Sequence, residues 1–306
     1  MEQKLFGCYD TAILVKSNSK ELLNDLIRIY GEYYQDIYNP TYVLNFIVGK
    51  KPDDYDIKDK EVEDSTYNYI KSNEDGLTIY LDDYNQPKKQ FAKRIFTNSF
   101  VRAFQKNDYI IIHGACVKDQ DGNSLIIGDK GSGKTTTLIN LINNGYTFVS
   151  NDKVAVKLTN GKVITCGIPF SMGIIKKDAE VMYNFDIKRF YSTGDKIYLK
   201  VSDIPNFFNT YIENKGRLKQ ILFTDYQPTI DALKMVKVDN NLNAIGDNIL
   251  VNAVSEQKQY LNDLLKVDVK HHDLDYLNQI NGYIVSQNKD TTEELLETLK
   301  QDKIKL

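Results

Sequence analysis

The stretch from Leu125 to Asp152 constrains this chain more than any other part of its sequence. A short apolar run, LII, leads into GDKGSGKT at Gly128–Thr135, which completes the pattern G-x-x-x-x-G-K-[ST]. An apolar run with helical character follows. Strand, loop and helix in this order are the context in which the pattern binds phosphate, whereas an isolated glycine-rich turn would bind nothing. The sequence therefore predicts an α/β nucleotide-binding core with a phosphate-binding loop, the P-loop.

The residue types of the loop fit this chemistry. Glycines permit backbone turns that a Cβ would block, so that successive N–H groups can face phosphate oxygens. Lys134 is expected to reach the β- and γ-phosphates, and the Thr135 hydroxyl to hold Mg²⁺, while the following helix contributes its positive dipole end. The predicted nucleotide-binding residues are Gly128, Asp129, Lys130, Gly131, Ser132, Gly133, Lys134, Thr135 and Thr136.

A Mg²⁺–nucleotide site normally needs an acidic residue at the end of a second strand. Asp152 is the nearest candidate, since it ends the run TFVSND and is separated from the loop by only one helix, a glycine and one strand. In common P-loop GTPases and ATPases this acid lies much further along the chain. Asp152 is predicted to be a metal ligand together with Thr135; a solvated aspartate at a strand end is the alternative.

Composition excludes several classes of protein. A chain of 306 residues suggests two domains or one large one, and a net charge of −3 argues against broad nucleic-acid binding. The sequence has no apolar run long enough for a membrane span, and its start, MEQKLFGCYD, lacks the apolar segment of a signal peptide. Cys8, Cys116 and Cys166 form neither a disulfide framework nor a zinc pattern. We therefore expect a cytoplasmic protein with reduced thiols and no membrane partner.

Periodicity predicts a small α+β unit over residues 1–86. Strands are expected at residues 11–15 and 41–48, a helix at 20–34, a loop at 50–65, and a hairpin that joins 67–70 to 77–81 through Gly76. A nucleotide-binding domain is expected over residues 87–306. It would begin with a helix at 88–105 and a strand at 109–117. The P-loop helix would end near Asn144, before Gly145 as a left-handed cap.

The remainder of the second domain is read from weaker patterns. A strand at 146–150 precedes a hairpin through Asn160-Gly161, and a further strand is expected at 218–224. Helices are predicted at 247–265 and 291–301. His271 and His272 form a pair without a third metal ligand in view, which is a weak basis for a metal site.

At this point the sequence resembles a known family. The run HGACV at His113–Val117, then Gly122, then GDKGSGKTTTLINLINNGYTFVSND, is similar to the core of HPr kinase/phosphorylase and its broader relatives, which share a nucleotide-binding core with phosphoenolpyruvate carboxykinase. The resemblance covers residues 91–169 well, is weaker over residues 195–199 and 218–223, and shows no clear match over the first 85 residues. It implies an α/β fold, α+β overall, whose mixed-sheet P-loop core is preceded by the small N-terminal unit.

The resemblance also implies roles for single residues. Asp152 matches the second of two adjacent acids in the family, the one expected to bind metal. Asn151 matches the first acid, which in the HPr enzyme looks like the general base, and an amide cannot take a proton at neutral pH. His113 matches a strand-end histidine that could serve as base or phosphate ligand; a hydrogen-bonded core histidine is the alternative. The predicted catalytic residues are thus His113, Lys134, Asn151 and Asp152.

Two functions remain open from the sequence. The first is an ATP- and Mg²⁺-dependent kinase, a phosphotransferase with an alcohol group as acceptor, that acts on a Ser or Thr hydroxyl of a peptide or protein. The second is a non-catalytic, nucleotide-dependent binding or regulatory protein that has lost its chemistry at Asn151. A carboxykinase is a distant third, because the chain is short for one. Whether the protein forms a homo-oligomer is left open.

Overall fold

The computed structural model describes residues 1–35, 39–49, 69–73, 76–181, 183–250, 274–288 and 290–301. Two compact units are distinguished: residues 1–109 form the first, and residues 110–250 with 274–301 belong to the second. The predicted loop at 50–65, residues 251–265 of a predicted helix, and the pair His271–His272 lie outside the described residues. In the described part of the chain, no helix is both long and apolar enough to cross a bilayer.

The first unit is an α+β structure. Its strands are β1 Glu2–Cys8, β2 Thr11–Ser17, β3 Tyr34–Gln35, β4 Tyr42–Val48, β5 Tyr69–Asn73 and β6 Gly76–Leu81; its helices are α1 Lys20–Tyr30 and α2 Gln86–Lys106. The strands form one mixed sheet in the order β3-β1-β2-β4-β6-β5, in which β4 pairs in parallel with β2 and β6. The helix predicted at 20–34 ends earlier, at Tyr30, because a 3-10 turn and β3 follow, and β3 pairs with β1.

Helix α2 packs within this first unit. The Phe96 ring centre lies 4.7 Å from that of Tyr30 on α1 and 4.9 Å from that of Phe6 on β1, and Phe96 is fully buried. The predicted domain boundary, between residues 86 and 87, assigned this helix to the second domain. The boundary of the compact unit instead follows Tyr109, because the aromatic face of the helix is buried against the N-terminal strands.

The second unit contains the P-loop. Its strands are β7 Ile110–His113, β8 Ala115–Lys118, β9 Asn123–Ile127, β10 Thr147–Ser150, β11 Lys153–Thr159, β12 Lys162–Gly167, β13 Met172–Ile175, β14 Tyr191–Thr193, β15 Lys196–Leu199, β16 Lys215–Tyr226, β17 Lys234–Lys237, β18 Ile249–Leu250 and β19 Asn281–Gln287. Its helices are α3 Lys134–Asn143, α4 Lys176–Val181, α5 Ile204–Phe208, α6 Asn241–Ile245 and α7 Thr292–Gln301. Short 3-10 turns lie at Ile187–Arg189, Val201–Asp203, Gly246–Asn248 and Asp275–Gln279.

The long strand β16 links two layers of sheet. Its first residues pair with β12, which continues to β11, β7 and β18, all antiparallel. Its later residues pair in parallel with both β9 and β19. Strands β8 and β10 extend the sheet beyond β9, β17 pairs with β19, and β13, β15 and β14 form a separate small sheet. The predicted mixed α/β architecture is therefore confirmed.

Strand β9 is buried on both faces, as the apolar run before the P-loop predicts for a central strand. Ile126 belongs to one apolar cluster with Leu138 of α3, whereas Leu125 and Ile127 belong to another with Val154 of β11. Successive side chains of a strand point to opposite faces, so this single strand serves both layers. The P-loop is thereby held at the end of a strand enclosed from both sides.

One predicted strand, at 109–117, is divided in the structure. Gly114 separates β7 from β8, and the two halves pair with different strands. A Cβ on Gly114 would lie 2.7 Å from the carbonyl oxygen of Ile126, so only glycine permits this close passage. The break at Gly114 turns the chain from one layer into the other and leaves His113 at the end of β7.

We predict that Phe96→Ala lowers the free energy of unfolding by about 3–5 kcal/mol, the usual cost of truncating a buried phenylalanine. Chemical denaturation followed by circular dichroism measures this change. Gln90→Ala is the matched control, because Gln90 lies on the same helix with an exposed side chain. A loss within about 0.5 kcal/mol, the level of an ordinary surface substitution, would contradict the packing of α2 described here.

Candidate functional site

Three strand ends meet at one edge of the second unit. Strands β9 and β10 are each antiparallel to β8, so they run in the same direction, and β16 is parallel to β9. The carboxyl ends of β9, β10 and β16 consequently lie at the same edge of the sheet. Gly128 directly follows β9, and Asp152 comes shortly after β10. The topology thus brings the two halves of the predicted site to one place.

The first turn of the P-loop is fitted against β16. A Cβ added to Gly128 would lie 2.4 Å from Ser132 Oγ and 2.7 Å from the carbonyl oxygen of Thr224. Ser132 Oγ and Thr224 Oγ1 are hydrogen-bonded at 3.0 Å, and Thr224 Oγ1 also donates to the carbonyl oxygen of Ile127 at 3.1 Å. The hydroxyl of Thr224 therefore ties both the beginning and the later part of the loop to β16.

The second half of the loop runs directly into α3. Gly131 and Gly133 have φ angles of +89° and +91°, in the left-handed region that favours glycine. Gly133 caps the helix, and its carbonyl oxygen accepts the Thr137 N–H at 2.8 Å and the Thr137 hydroxyl at 3.0 Å. The buried amide of Gln287, at the end of β19, donates to Thr137 Oγ1. Thr135 and Thr136 occupy the first turn, and both are partly buried.

Lys134 folds back over the beginning of the loop. Its Nζ donates to the carbonyl oxygens of Gly128 and of Asp129, the latter at 2.9 Å. Burial lowers the pKa of Lys134, the carboxylates of Asp129 and Asp152 oppose this effect, and the positive charge of Lys196 adds to it. The ammonium group therefore lies within electrostatic range of both Asp152 and Lys196. Asp129 and Lys130 themselves are exposed at the tip of the loop.

His113 and Asp152 are brought together by backbone pairing. The N–H of Gly114 donates to the carbonyl oxygen of Asp152 at 3.0 Å, and His113 lies opposite Lys153 in the β7–β11 register. Burial lowers the pKa of His113, the Asp152 carboxylate opposes this, and the charges of Lys134 and Lys153 add to it. Because the ordinary histidine pKa is already about 6.5, His113 is neutral at pH 7 and retains a ring nitrogen that can accept a proton.

Asn151 is held at the entrance to β11. Its Nδ2 donates to the carbonyl oxygen of Ser171 at 3.2 Å. Its Oδ1 is buried and accepts no hydrogen bond from the described part of the chain. A buried acceptor without a donor costs about 1–3 kcal/mol, so this oxygen is suited to a donor from outside these residues. The Asn151 side chain can thus contribute a hydrogen bond to the site, although it cannot act as a base.

Two lysines near the site were not identified as site residues by sequence reasoning. Lys153 Nζ lies 4.3 Å from the ring centre of Phe170, burial lowers its pKa, and the Asp152 carboxylate opposes that shift. From the sequence, Lys196 on β15 could touch nucleotide or substrate, but a surface charge is the default for a lysine; in the structure its charge acts on that of Lys134. Because Lys153 directly follows Asp152 in the sequence, its place near the site could have been inferred locally. No local signal marked Lys196, because its place depends on the separate sheet that contains β15.

Within the described residues, no group of three or more His, Cys, Asp or Glu side chains is arranged to hold a metal ion. The three cysteines are unpaired, and all three are buried. Burial raises the pKa of the Cys116 thiol to about 12.

Comparisons with known proteins give a likeness to solved structures and none by sequence. No family model matches the chain, and no curated protein matches it by sequence. The chain is structurally similar to the HPr(Ser) kinase/phosphatase from Coxiella burnetii, with 13% sequence identity, 63% of this chain and 94% of that chain covered, and a TM-score of 0.34. This is the family whose resemblance the sequence analysis noted. The function proposed below rests on the residues of the site itself.

We predict that Gly128→Ala destabilises the second unit by about 1–3 kcal/mol, the usual cost of overpacking, because the new Cβ would meet the backbone oxygen of Thr224. Urea denaturation of the purified variant measures the change. Gly31→Ala is the control, since Gly31 has a φ of −55° and an added Cβ there meets nothing within 4 Å. Equal midpoints for Gly128→Ala and the wild type would mean that the loop does not lie tightly against β16.

Proposed function

We propose that this chain is an ATP- and Mg²⁺-dependent kinase that transfers the γ-phosphoryl group to a Ser or Thr hydroxyl of a peptide or protein. One observation carries the proposal: a complete P-loop, with the Lys134 ammonium over its first turn, lies within electrostatic range of the Asp152 carboxylate. Phosphoryl transfer depends mainly on positioning and on neutralisation of charge, and these groups can supply both.

The residues present fit a Mg²⁺–nucleotide. The loop turns at Gly128, Gly131 and Gly133, and a Cβ at Gly128 would collide with its neighbours. The positive end of the α3 dipole favours phosphate at the same place. Mg²⁺ is typically held by one or two protein oxygen ligands and by phosphate oxygens. The Thr135 hydroxyl and the Asp152 carboxylate would be the protein ligands. When bound, Mg²⁺ neutralises charge that develops on the transferred phosphoryl group.

We propose that His113 accepts the proton of the acceptor hydroxyl. Asn151 occupies the position at which the resemblance places an acid, and an amide cannot accept the proton. His113 is neutral at pH 7 and interacts with both Asp152 and Lys134. In a loose transition state the nucleophile needs little early activation. A histidine at this place therefore suffices for a slow kinase.

Asn151 also favours the alternative function. Its Nδ2 already donates to Ser171, and replacement of a general base typically removes about 10²–10⁴-fold of rate. A protein that binds nucleotide at the P-loop and responds by changing its affinity for a protein partner would need no base. The kinase is proposed first, because Thr135 and Asp152 together provide more metal-binding machinery than nucleotide sensing requires.

We predict that Asp152→Asn separates nucleotide binding from the effect of metal. ATP still binds through the loop, but Mg²⁺ no longer tightens the complex, because the neutral amide is a poorer ligand for a hard cation. Isothermal titration calorimetry with and without Mg²⁺ measures this. Asp239→Asn, at an exposed position, serves as the control for loss of one carboxylate. An identical Mg²⁺ dependence in Asp152→Asn and the wild type would assign the metal to another acid.

We predict that Asn151→Asp accelerates phosphorylation of a serine-containing peptide, by up to about 10²–10⁴-fold if the new carboxylate acts as a general base. His113→Ala should lower the wild-type rate while ATP affinity is retained. Mass spectrometry of candidate peptides incubated with Mg²⁺-ATP detects the added phosphoryl group as about +80 Da.

The two functions give different outcomes in this experiment. If neither the wild type nor Asn151→Asp forms product with any tested acceptor, while ATP changes the affinity for a protein partner, the regulatory function is supported and the kinase is excluded. Product formation by the wild type that disappears in Lys134→Ala would support the kinase.

A further inference from the structure

An open cleft of about 440 Å³ lies beside the P-loop in the second unit. Its walls are residues 127–132, residues 223–226 at the end of β16, Ala244 of α6, and Asn248. This volume is within the range of about 300–1,000 Å³ that is usual for small-molecule sites. Lys134 and Thr135 are not among its lining residues. The cleft therefore adjoins the P-loop, whose residues 128–132 form one wall, and its other walls come from β16, α6 and Asn248.

The charge of the cleft disfavours a second anion. Asp129 and Asp225 line it, against the single positive charge of Lys130. Two carboxylates repel phosphate, whereas they accept hydrogen bonds from hydroxyl and amino groups. A neutral portion of a ligand that carries such donors is thus the better occupant. A nucleotide has this character at the end remote from its phosphates.

Tyr226 provides an aromatic surface at the junction of cleft and loop. Its side chain is 41% exposed, so part of the ring is accessible to a ligand. A Cβ added to Gly133 would lie 3.6 Å from Tyr226 Cβ, so the tyrosine stands beside the residue that directly precedes Lys134. Exposed aromatic rings in this setting stack on the faces of nucleobases.

Polar groups oriented by the protein line the same cleft. Asp225 Oδ2 accepts hydrogen bonds from Ser286 Oγ, at 3.0 Å, and from the side-chain amide of Gln227, which fixes the carboxylate. An oriented carboxylate is a common partner for ribose hydroxyls. Asn248 Nδ2 donates to the carbonyl oxygen of Ile245 at 3.0 Å, so its orientation is also set. Its amide oxygen can accept from the amino group of a base.

We propose that this cleft binds the base and sugar of the nucleotide whose phosphates bind the P-loop, with Tyr226 as the stacking surface and Asp225 as the acceptor for the sugar hydroxyls. This subsite rests on the proposed function only in that the P-loop binds the phosphates. It applies equally to the kinase and to the regulatory protein.

The test compares Mg²⁺-ATP with Mg²⁺-tripolyphosphate, which has the phosphate chain and lacks the nucleoside. Tyr226→Ala should weaken ATP binding about 5- to 100-fold, as loss of one base–aromatic stack predicts, with tripolyphosphate affinity unchanged. Ala244→Leu should do the same by filling the cleft. Lys134→Ala should weaken both ligands. Calorimetry on the full chain gives all of these affinities.

Matched controls keep the result specific. Tyr211→Ala removes a tyrosine that is 80% exposed and does not line the cleft, and Asn243→Leu adds a leucine beside Ala244 at an exposed position outside the lining. Both controls should bind ATP as the wild type does. Circular dichroism of each variant confirms that it is folded.

The outcomes separate failure of the subsite from failure of the P-loop. Unchanged ATP affinity in both Tyr226→Ala and Ala244→Leu would overturn the subsite, as would an equal loss of ATP and tripolyphosphate affinity. A wild type that binds tripolyphosphate as tightly as ATP overturns the subsite alone. A wild type that binds neither ligand overturns the P-loop assignment and the subsite together.

Discussion

The parallel pairing of β9 with β16 is the constraint on which the site depends. Their register places Ile127 opposite Phe223, so the first residue of the P-loop emerges beside Thr224. The Thr224 hydroxyl then hydrogen-bonds to the Ile127 carbonyl oxygen before the loop and to the Ser132 hydroxyl within it. Gly128 is the residue that leaves room for these contacts. A shift of one residue in this pairing would turn every side chain of β9 to the other face and remove the loop from its support.

The second half of the site depends on a reversal of direction around β8. Because β8 is antiparallel to both β9 and β10, the chain returns to the P-loop edge after one helix and one strand. The break at Gly114 then lets His113 end in the other layer while the Gly114 N–H bonds to Asp152. A short segment of sequence thus brings a histidine, the predicted phosphate-binding loop and a carboxylate to one edge of the sheet. This compactness explains why so short a spacing between Lys134 and Asp152 is compatible with a shared site.

Local features of the sequence predicted much of this arrangement. The glycine-rich loop, the helix that starts near Gly133 and the left-handed Gly145 with a φ of +90° follow from residue types with strong backbone preferences. The turn at Asn160-Gly161 also forms as predicted, with φ angles of +50° and +72°. The ends of such elements are fixed by interactions close in sequence. For this reason they could be read without knowledge of the fold.

Features that depend on distant pairing were not predictable in the same way. The location of α2 in the first unit depends on aromatic contacts with α1 and β1, and its helical period does not specify which sheet it covers. Lys196 and Tyr226 reach the P-loop only through strands whose pairing is set by long-range contacts.

The surroundings of the loop set the protonation of His113. Its burial and the positive charges of Lys134 and Lys153 all favour a neutral imidazole. For the proposed kinase, a neutral base amid positive charge would suit an anionic transition state, because the lysines would stabilise the phosphoryl charge while the histidine would accept only one proton. In the proposed kinase, Asn151 would be tolerable where the resemblance implies an acid, because a carboxylate at this position would oppose the binding of phosphate.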